Sequence, residues 1–263
     1  MLEDEPPKSI RRKLERVRVV SLITNVCRHG SAINAVAKLV EQKTGGYVCF
    51  STVHMVMESY DNPEFASKVN GGDLVIPDGM PLVWMQKLQG RKEAARVRAN
   101  DLMIMLCAYA EKNKLKVGFC GGRQYVIDAI IDRAGKEFPA LEVAYAYSPP
   151  YRPLTFEEDA EITAQINESG TQILFMGLGC PKQENWMADH KLKLKCVMLG
   201  VGASFDFYAG NVRESPEWMG KLGLEWLFRV TQEPKRLWKR YLILNPRFIW
   251  LASLQLLGMK EFS

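Results

Sequence analysis

The sequence predicts an α/β protein built on a mostly parallel sheet and followed by a C-terminal segment of different composition. Over residues 17–210, short apolar runs alternate with longer amphipathic runs, which is the pattern of strands connected by helices. Several apolar runs are nearly continuous in Val, Ile, Leu, Phe and Cys, as is typical of a sheet covered on both faces. Residues 211–263 are instead rich in Trp, Leu and Arg.

The boundaries of the elements follow from these runs and from Gly and Pro between them. The apolar runs predict strands at 17–24, 47–52, 73–77, 116–120, 141–147, 171–177 and 196–202. The amphipathic runs predict helices at 31–43, 80–89, 101–113, 124–137, 156–168 and 181–191. Thr155 is the expected N-cap of the helix at 156–168, with Glu158 completing a capping box, and Pro181 suits the first position of the helix at 181–191. We therefore expect a flexible segment (1–16), an α/β domain (17–210) and a C-terminal appendage (211–263).

Composition excludes several classes of protein. With 263 residues, 47% hydrophobic and 25% charged, the chain is neither disordered, collagen-like nor a coiled coil. Its six cysteines include no CxxC pair, so we expect no zinc site, no disulfide scaffold and a reduced, cytosolic setting. The N-terminus lacks the apolar core of a secretory signal. The apolar stretch at 241–258 is interrupted at 245–247 and is too short for a membrane-spanning helix.

The net charge of +5 is concentrated in one part of the chain. Residues 218–250 hold seven Lys and Arg residues against two Glu residues, which accounts for the whole surplus. The rest of the chain is balanced, so the pattern indicates one basic patch and argues against a nucleic-acid-binding surface spread over the whole fold.

Glycines at the ends of three predicted strands suggest a ligand site. In open parallel sheets, ligands bind beyond the carboxyl ends of the strands, where Gly lets backbone N–H groups approach a phosphate. A purely steric reason for each glycine is the alternative. Three such turns together favour a nucleotide or sugar-nucleotide ligand, but the sequence has neither a dinucleotide fingerprint nor a P-loop. The candidate residues are Gly121, Gly122, Gly179 and Gly202.

Polar residues beside these turns have alternative interpretations. Lys182 and Gln183 either point from the first turn of a helix toward the ligand or are solvated. Asp78 follows an apolar strand, so it is either the N-cap of the next helix or a general base on a rigid scaffold. Thr52 and His54 lie at the end of the second strand, and His54 is either packed or catalytic.

Six motifs follow one another along the chain: DLVIPDGMPLVW, RVRANDLM, VGFCGG, GLGCPKQENWM, GVGASFDFYAGNVRESPEW and LEWLFRVTQEPKRLWKRY. In this order and spacing, the motifs resemble those of the WecG/TagA/CpsF family of bacterial glycosyltransferases (glycosyltransferase family 26). The resemblance covers about residues 17 to 245. It implies a Rossmann-like (GT-E type) domain with a C-terminal helical appendage. It also implies an inverting transfer, without metal or other cofactor, from a UDP-sugar to a polyprenyl-diphosphate-linked saccharide at the cytoplasmic face of the membrane.

The resemblance implies roles for particular residues. Asp78 matches the family's proposed general base, Thr52 an active-site threonine and Gln183 the glutamine of PKQE. Arg229, Arg236 and Arg240 match arginines of the appendage that close over the donor diphosphate. We also count Asp206 among the donor-binding candidates, although by position alone it is a buried or capping carboxylate.

The sequence departs from the family pattern at three places. His54 stands where many members have Asn, which makes it a second candidate base and leaves the donor open between N-acetylmannosamine, its uronic acid and glucose. Ala99 replaces a glycine, and residues 213–216 read Arg-Glu-Ser-Pro. With an ordinary pKa of about 3.9, Asp78 is expected to be ionised at cytosolic pH.

Aromatic residues alternate with the basic residues of the appendage, which suits an anionic membrane surface. The alternative is that the aromatic side chains pack on the core. The expected partners are the UDP-sugar, the lipid-linked acceptor and the bilayer, without nucleic acid, and the chain acts either as a monomer or as a homo-oligomer. The rival functions are a nucleotide-sugar epimerase or dehydrogenase, and a non-catalytic membrane-docked subunit. The membrane candidates are Trp238, Lys239, Arg247, Phe248 and Trp250.

Overall fold

A computed structural model describes residues 14–262 of the protein, with the exception of the side chains of residues 217, 221 and 236. Its strands are β1 (Arg16–Val19), β2 (Leu22–Asn25), β3 (Gly46–Ser51), β4 (Leu74–Pro77), β5 (Lys116–Gly121), β6 (Glu142–Tyr147), β7 (Ile173–Gly177) and β8 (Val197–Gly200). Its helices are α1 (His29–Gln42), α2 (Val53–Asp61), α3 (Pro63–Asn70), α4 (Met80–Leu88), α5 (Ala99–Asn113), α6 (Gln124–Glu137), α7 (Phe156–Glu168), α8 (Lys182–His190), α9 (Ser204–Tyr208), α10 (Glu217–Lys221), α11 (Glu225–Gln232) and α12 (Pro234–Leu256).

Strands β3 to β8 form one parallel sheet in the order β4-β3-β8-β7-β5-β6. Helices α1, α5, α6 and α9 cover one face of the sheet, and α2, α3, α4, α7, α8 and α12 cover the other. The central strands are buried along almost their whole length because both faces are covered. The predicted α/β class, with a Rossmann-like sheet and C-terminal helices, is confirmed.

The prediction of a single strand at 17–24 is wrong. These residues form an antiparallel hairpin, β1–β2, which is separate from the parallel sheet. The chain reverses at Val20, whose φ of 54° is unusual for a β-branched residue. Val20 is buried, and its N–H donates to the side-chain oxygen of Gln255 at 2.8 Å, so a contact with α12 holds this turn in place. The turn residues lack the Asn-Gly or Asp-Gly pair that would have indicated a hairpin in the sequence.

Two helices between β3 and β4 were not predicted. Thr52 is the N-cap of α2, and its hydroxyl accepts from the Met55 N–H at 3.5 Å. Asn62 caps α3 in the same way, with Pro63 at the first helical position. Thr52 and His54 therefore lie at the start of a helix, with His54 in its first turn.

The predicted helix starts lie within two residues of the observed ones: α4, α6 and α7 begin where predicted, and α1 and α5 begin two residues earlier, at His29 and Ala99. Thr155 and Glu158 form the expected capping box at the start of α7, with hydrogen bonds of 3.2 and 2.9 Å. Pro181 is the N-cap of α8, so the helix begins one residue later than predicted, at Lys182.

The end of the chain is part of the same core as the α/β body. Phe248, Leu251 and Ala252 of α12 are buried in the hydrophobic cluster that also contains residues of α2, α3 and α8. Arg247 forms a two-pronged ion pair with Asp61 of α2, at 2.5 and 2.6 Å. The second half of α12 is therefore held by both apolar and ionic contacts.

Candidate active site

The six parallel strands direct all their carboxyl ends to one edge of the sheet, and β3 and β4 place two candidate residues side by side there. Ser51 and Pro77, the last residues of these strands, are paired in the ladder. The N–H groups of Asp78 and Gly79 both donate to the Ser51 carbonyl, at 2.9 and 3.2 Å. The pairing of β3 with β4 fixes the positions of Asp78 and Thr52, so the two residues lie next to each other.

A cleft of about 130 Å³ opens at this point of the edge. Its walls come from the β3–α2 junction, the β4–α4 junction, and helices α11 and α12. It brings together candidates that are far apart in the sequence, among them Thr52, His54, Asp78, Arg229 and Arg240. The volume is below the roughly 300–1,000 Å³ of a typical small-molecule pocket, so a nucleotide sugar has to extend beyond it.

The carboxylate of Asp78 does not cap a helix, so that alternative is wrong. The N-cap of α4 is Gly79, which offers no side chain. The Asp78 side chain is 22% exposed, and its Oδ1 lies 3.4 Å from Nη2 of Arg96. Burial raises the pKa of Asp78 above its ordinary value, and the charge of Arg96 opposes this rise. The prediction that the Asp78 carboxyl has an ordinary pKa is therefore wrong, because its pKa is raised in the folded protein.

The imidazole of His54 is mostly buried in the wall of the cleft. Its Nε2 lies 3.3 Å from Glu58 Oε1, one helical turn away, and its Nδ1 has no hydrogen-bond partner among the described residues. Burial, followed by the positive charge of Arg240, lowers the pKa of His54 to about 3. His54 is consequently neutral near pH 7 and binds a proton weakly.

Two of the three predicted arginines reach the cleft. Arg229 of α11 and Arg240 of α12 line it, and the Arg229 guanidinium lies 5.5 Å from the ring centroid of Phe207. The backbone of residue 236 lies in α12, but its side chain is outside the described residues, so the role of Arg236 stays a prediction.

The glycine turns lie on the same edge of the sheet, at the junction of β5 and β7. From β5 the chain proceeds to β6 on one side, and from β7 it proceeds to β8 on the other, which makes this junction a topological switch point. Gly121 has a φ of 126°, and a Cβ there would lie 2.6 Å from the Gly177 carbonyl carbon. Gly179, with a φ of 79°, faces open space. Gly122 lies in the turn after β5, with a φ of 71°, and Gly202 lies in the turn after β8, the neighbour of β7, with a φ of 53°.

Gln183 is buried, so the alternative that it is solvated is wrong. Its Oε1 accepts from the Gly179 N–H at 3.0 Å, and its Nε2 donates to the Gly200 carbonyl at 2.8 Å. The side chain therefore ties the turn after β7 to the end of β8. Lys182 is exposed and lies 5.2 Å from the ring centroid of Tyr151.

Asp206 is neither fully buried nor a cap. It is half-buried in the first turn of α9, whose N-cap is Ala203. Its predicted contact with the donor, like those of the glycines, Lys182 and Gln183, stays a prediction.

Sequence reasoning missed two features of this edge. Glu184 is completely buried beside Gln183, and burial raises its pKa to about 7. Arg96 contacts both Asp78 and Glu225 of α11. The strings PKQE and RVRAND contained these residues, but only the fold shows which groups they meet.

Four of the five residues predicted to contact a membrane are exposed or half-exposed on the appendage, and the fifth is buried. Trp238 and Trp250 are 48% and 65% exposed, and Lys239 is also exposed. Arg247 is half-exposed, although it is paired with Asp61. Phe248 is 3% exposed, so its predicted contact with a membrane is wrong. It lies on the buried stripe of α12, with Leu237 and Leu251 at helical spacing.

Two further properties concern residues 14–262. No helix in this range is both long and apolar enough to span a bilayer. The same residues contain no cluster of three or more His, Cys, Asp or Glu side chains arranged to hold a metal ion.

Comparison with known proteins agrees with the resemblance of the motifs. The sequence model of the Glycosyl transferase WecG/TagA/CpsF family matches residues 17–261. A protein of Bacillus spizizenii named N-acetylglucosaminyldiphosphoundecaprenol N-acetyl-beta-D-mannosaminyltransferase is 30% identical over 211 residues, 80% of this chain and 79% of the relative. A protein of Bacillus subtilis with the same name is 28% identical over 204 residues, 77% of each chain. The chain therefore belongs to the WecG/TagA/CpsF family of glycosyltransferases.

Proposed function

We propose that the protein transfers a sugar from a UDP-sugar to a saccharide linked to polyprenyl diphosphate, with inversion at the anomeric carbon. One observation carries the proposal: Asp78, Thr52 and two arginines of the appendage line a single cleft at the carboxyl edge of the sheet. The names of the two Bacillus relatives, both sugar transferases to a lipid-linked N-acetylglucosamine, support this substrate class.

In the proposed reaction Asp78 is the general base. An acceptor hydroxyl attacks the anomeric carbon from the face opposite UDP, its proton passes to the Asp78 carboxylate, and the bond between the sugar and UDP breaks. A base works best when its pKa approaches the operating pH, and burial raises the pKa of Asp78 in that direction. His54, whose pKa is lowered to about 3, is much less suited to this role.

The leaving diphosphate gains negative charge as the bond to the sugar breaks. Arg229 and Arg240 are the cations that line the cleft from the appendage, and we propose that they stabilise this charge. Arg236 is proposed to assist them on the strength of the family resemblance alone. The proposed reaction needs no metal ion.

The nucleotide is proposed to lie along the edge of the sheet, from the cleft toward the switch point between β5 and β7. The cleft is too small for the whole donor, and the space that a side chain at Gly179 would occupy is open. The donor candidates are UDP-N-acetylmannosamine, UDP-N-acetylmannosaminuronate and UDP-glucose. The names of the relatives favour the first of these.

The protein is proposed to act as a peripheral protein at the cytoplasmic face of the plasma membrane. One stripe of α12 is buried in the core, yet Trp238, Lys239, Leu242, Ile249 and Trp250 of the same helix are exposed. A helix with exposed apolar residues besides its buried stripe has further apolar surface to cover. Exposed aromatic and basic residues are suited to an anionic bilayer surface.

Release of UDP from a panel of UDP-sugars, with and without a short-chain polyprenyl-diphosphate N-acetylglucosamine acceptor, tests the proposal. We expect release that depends on the acceptor and on one donor. Conversion of the sugar without UDP release would support the epimerase or dehydrogenase instead. Binding to vesicles with no turnover of any donor would support the non-catalytic subunit.

A further inference from the structure

Arg96 lies between the proposed base and the appendage. Its Nη2 is 3.4 Å from Asp78 Oδ1 and 2.7 Å from Glu225 Oε2. Its Nε donates to the backbone carbonyl of Asp78. The side chains of Arg96 and Glu225 are only 16% and 17% exposed, so solvent screens these contacts weakly. One guanidinium nitrogen is therefore shared by two carboxylates, and the shorter contact is with the appendage.

Glu225 also determines where an arginine of the cleft lies. It begins α11, and Arg229 follows it by four residues in the same helix. Residues four apart lie on the same face of a helix. The contact between Glu225 and Arg96 therefore holds the face of α11 that carries Arg229 against the cleft.

A second carboxylate of the appendage binds the same segment of the body without touching the base. Glu214 accepts from Nη2 of Arg98 at 2.5 Å and from Nδ2 of Asn100 at 2.7 Å. No contact between Glu214 and Asp78 is present among the described side chains, whereas Glu225 shares Arg96 with Asp78. Among the described side chains Glu214 binds Arg98 and not Arg96, so it is a control for the contact between Glu225 and Arg96.

The shared arginine has a chemical consequence for Asp78. A carboxylate loses its proton more easily beside a full counter-ion and less easily when that counter-ion is bound to a second carboxylate. We propose that docking of α11 through Glu225 makes Arg96 share its charge between two carboxylates and so weakens its interaction with that of Asp78, so that the base is prepared for proton transfer only when Arg229 already lies in the cleft. Arg96 and Glu225 are then positioning residues, and the inference rests on the proposed role of Asp78 as the base.

The other groups that face Asp78 are compatible with control of its carboxylate by Glu225. Arg98 and the backbone N–H of Ala99 lower its pKa, and the charge of Glu225 raises it. His54, across the cleft, is neutral near pH 7. The remaining charged groups of the cleft, Arg229 and Arg240, come from the appendage itself.

The test compares Glu225→Gln with Glu214→Gln in the full chain. Titration of the Asp78 carboxyl by ¹³C NMR, with the signal assigned from Asp78→Asn, needs no turnover. We expect Glu225→Gln to lower the pKa of Asp78 by about one unit, the size of effect that one nearby charge produces. We expect the acid limb of the kcat/KM profile to move to lower pH by the same amount. Glu214→Gln, which frees Arg98 and leaves the contact between Glu225 and Arg96 in place, is expected to move both positions by less.

An unchanged titration of Asp78 in Glu225→Gln, or an equal shift in Glu214→Gln, would overturn the inference. Should Glu225→Gln not fold, Glu225→Asp shortens the reach to Arg96 and is expected to shift the titration in the same direction by less. A wild-type protein that transfers no sugar would contradict the proposed function, while the NMR titration would still decide whether Glu225 controls Asp78.

Discussion

The backbone N–H of Asp78 donates a 2.9 Å hydrogen bond to the carbonyl oxygen of Ser51, the last residue of the neighbouring strand. The proposed base is therefore held by the sheet itself, and Thr52 is brought beside it by the same pairing. The arginines reach this position from α11 and α12. The cleft thus joins a rigid half, built on β3 and β4, to a half supplied by the appendage.

Gly179 provides a test of the proposed nucleotide site. Its φ of 79° and the open space around it mean that Gly179→Ala adds backbone strain of about 1–2 kcal/mol and a methyl group on the exposed side of the turn. We expect weaker binding of UDP in calorimetry. Gly90→Ala is the matched control, because Gly90 also has a left-handed φ, of 90°, with no neighbour within 4 Å. Equal UDP affinity in the two variants would move the nucleotide away from this turn.

Glu184 predicts how stability depends on pH. Its pKa is raised from 4.5 to about 7 in the folded protein, so between these values the folded state binds more protons than the unfolded state. Stability is therefore expected to fall as the pH rises through this window, by at most about 3 kcal/mol. In urea unfolding, Glu184→Gln should remove this fall because the amide carries no charge, whereas the exposed Glu168→Gln should retain it. If the stability of Glu184→Gln still fell steeply as the pH rose, the fall would have to come from another group.

The exposed tryptophans of α12 predict membrane binding. We expect Trp238→Ala with Trp250→Ala to weaken binding to vesicles that contain anionic lipid, measured by co-sedimentation, without loss of thermal stability. Leu192→Ala, which changes an exposed apolar residue outside the appendage, is the control. Undiminished sedimentation of the double variant would exclude this face of α12 as the contact.

Substitution is a better test of the appendage than deletion. Phe248 is buried in the core, and Phe248→Ala is expected to cost about 3–5 kcal/mol of stability. A chain truncated after residue 210 loses Phe248, Leu251 and Ala252 from the same cluster, so its inactivity would not distinguish unfolding from loss of the arginines.

The parallel sheet and most of its helices, though not α2 and α3, could be predicted from the sequence because their signals are local. The continuous apolar runs of the central strands reflect burial on both faces, and the Thr155–Glu158 capping box lies within four residues. The turn at Val20 could not be predicted, because its conformation depends on Gln255, which is far away in the sequence.

Part of the candidate site could also be predicted from the sequence, because the signals of its residues are local. Strand ends identified Asp78 and Thr52, and family motifs identified Arg229 and Arg240. The burial of Phe248 and the sharing of Arg96 by two carboxylates depend on how α11 and α12 pack against the body. Such long-range contacts leave no periodic signal in a single sequence.

The central claim is that Asp78 takes the proton of the acceptor hydroxyl, and transfer of a labelled sugar to the lipid-linked acceptor tests it most directly. Asp78→Asn is expected to reduce kcat at least about 100-fold while UDP-sugar still binds. In the wild type, kcat/KM should fall as the pH drops through the raised pKa of Asp78, because only the ionised carboxylate accepts a proton. His54→Gln should keep this acid limb. Near-normal transfer by Asp78→Asn, with the acid limb lost in His54→Gln, would contradict the account and make His54 the base.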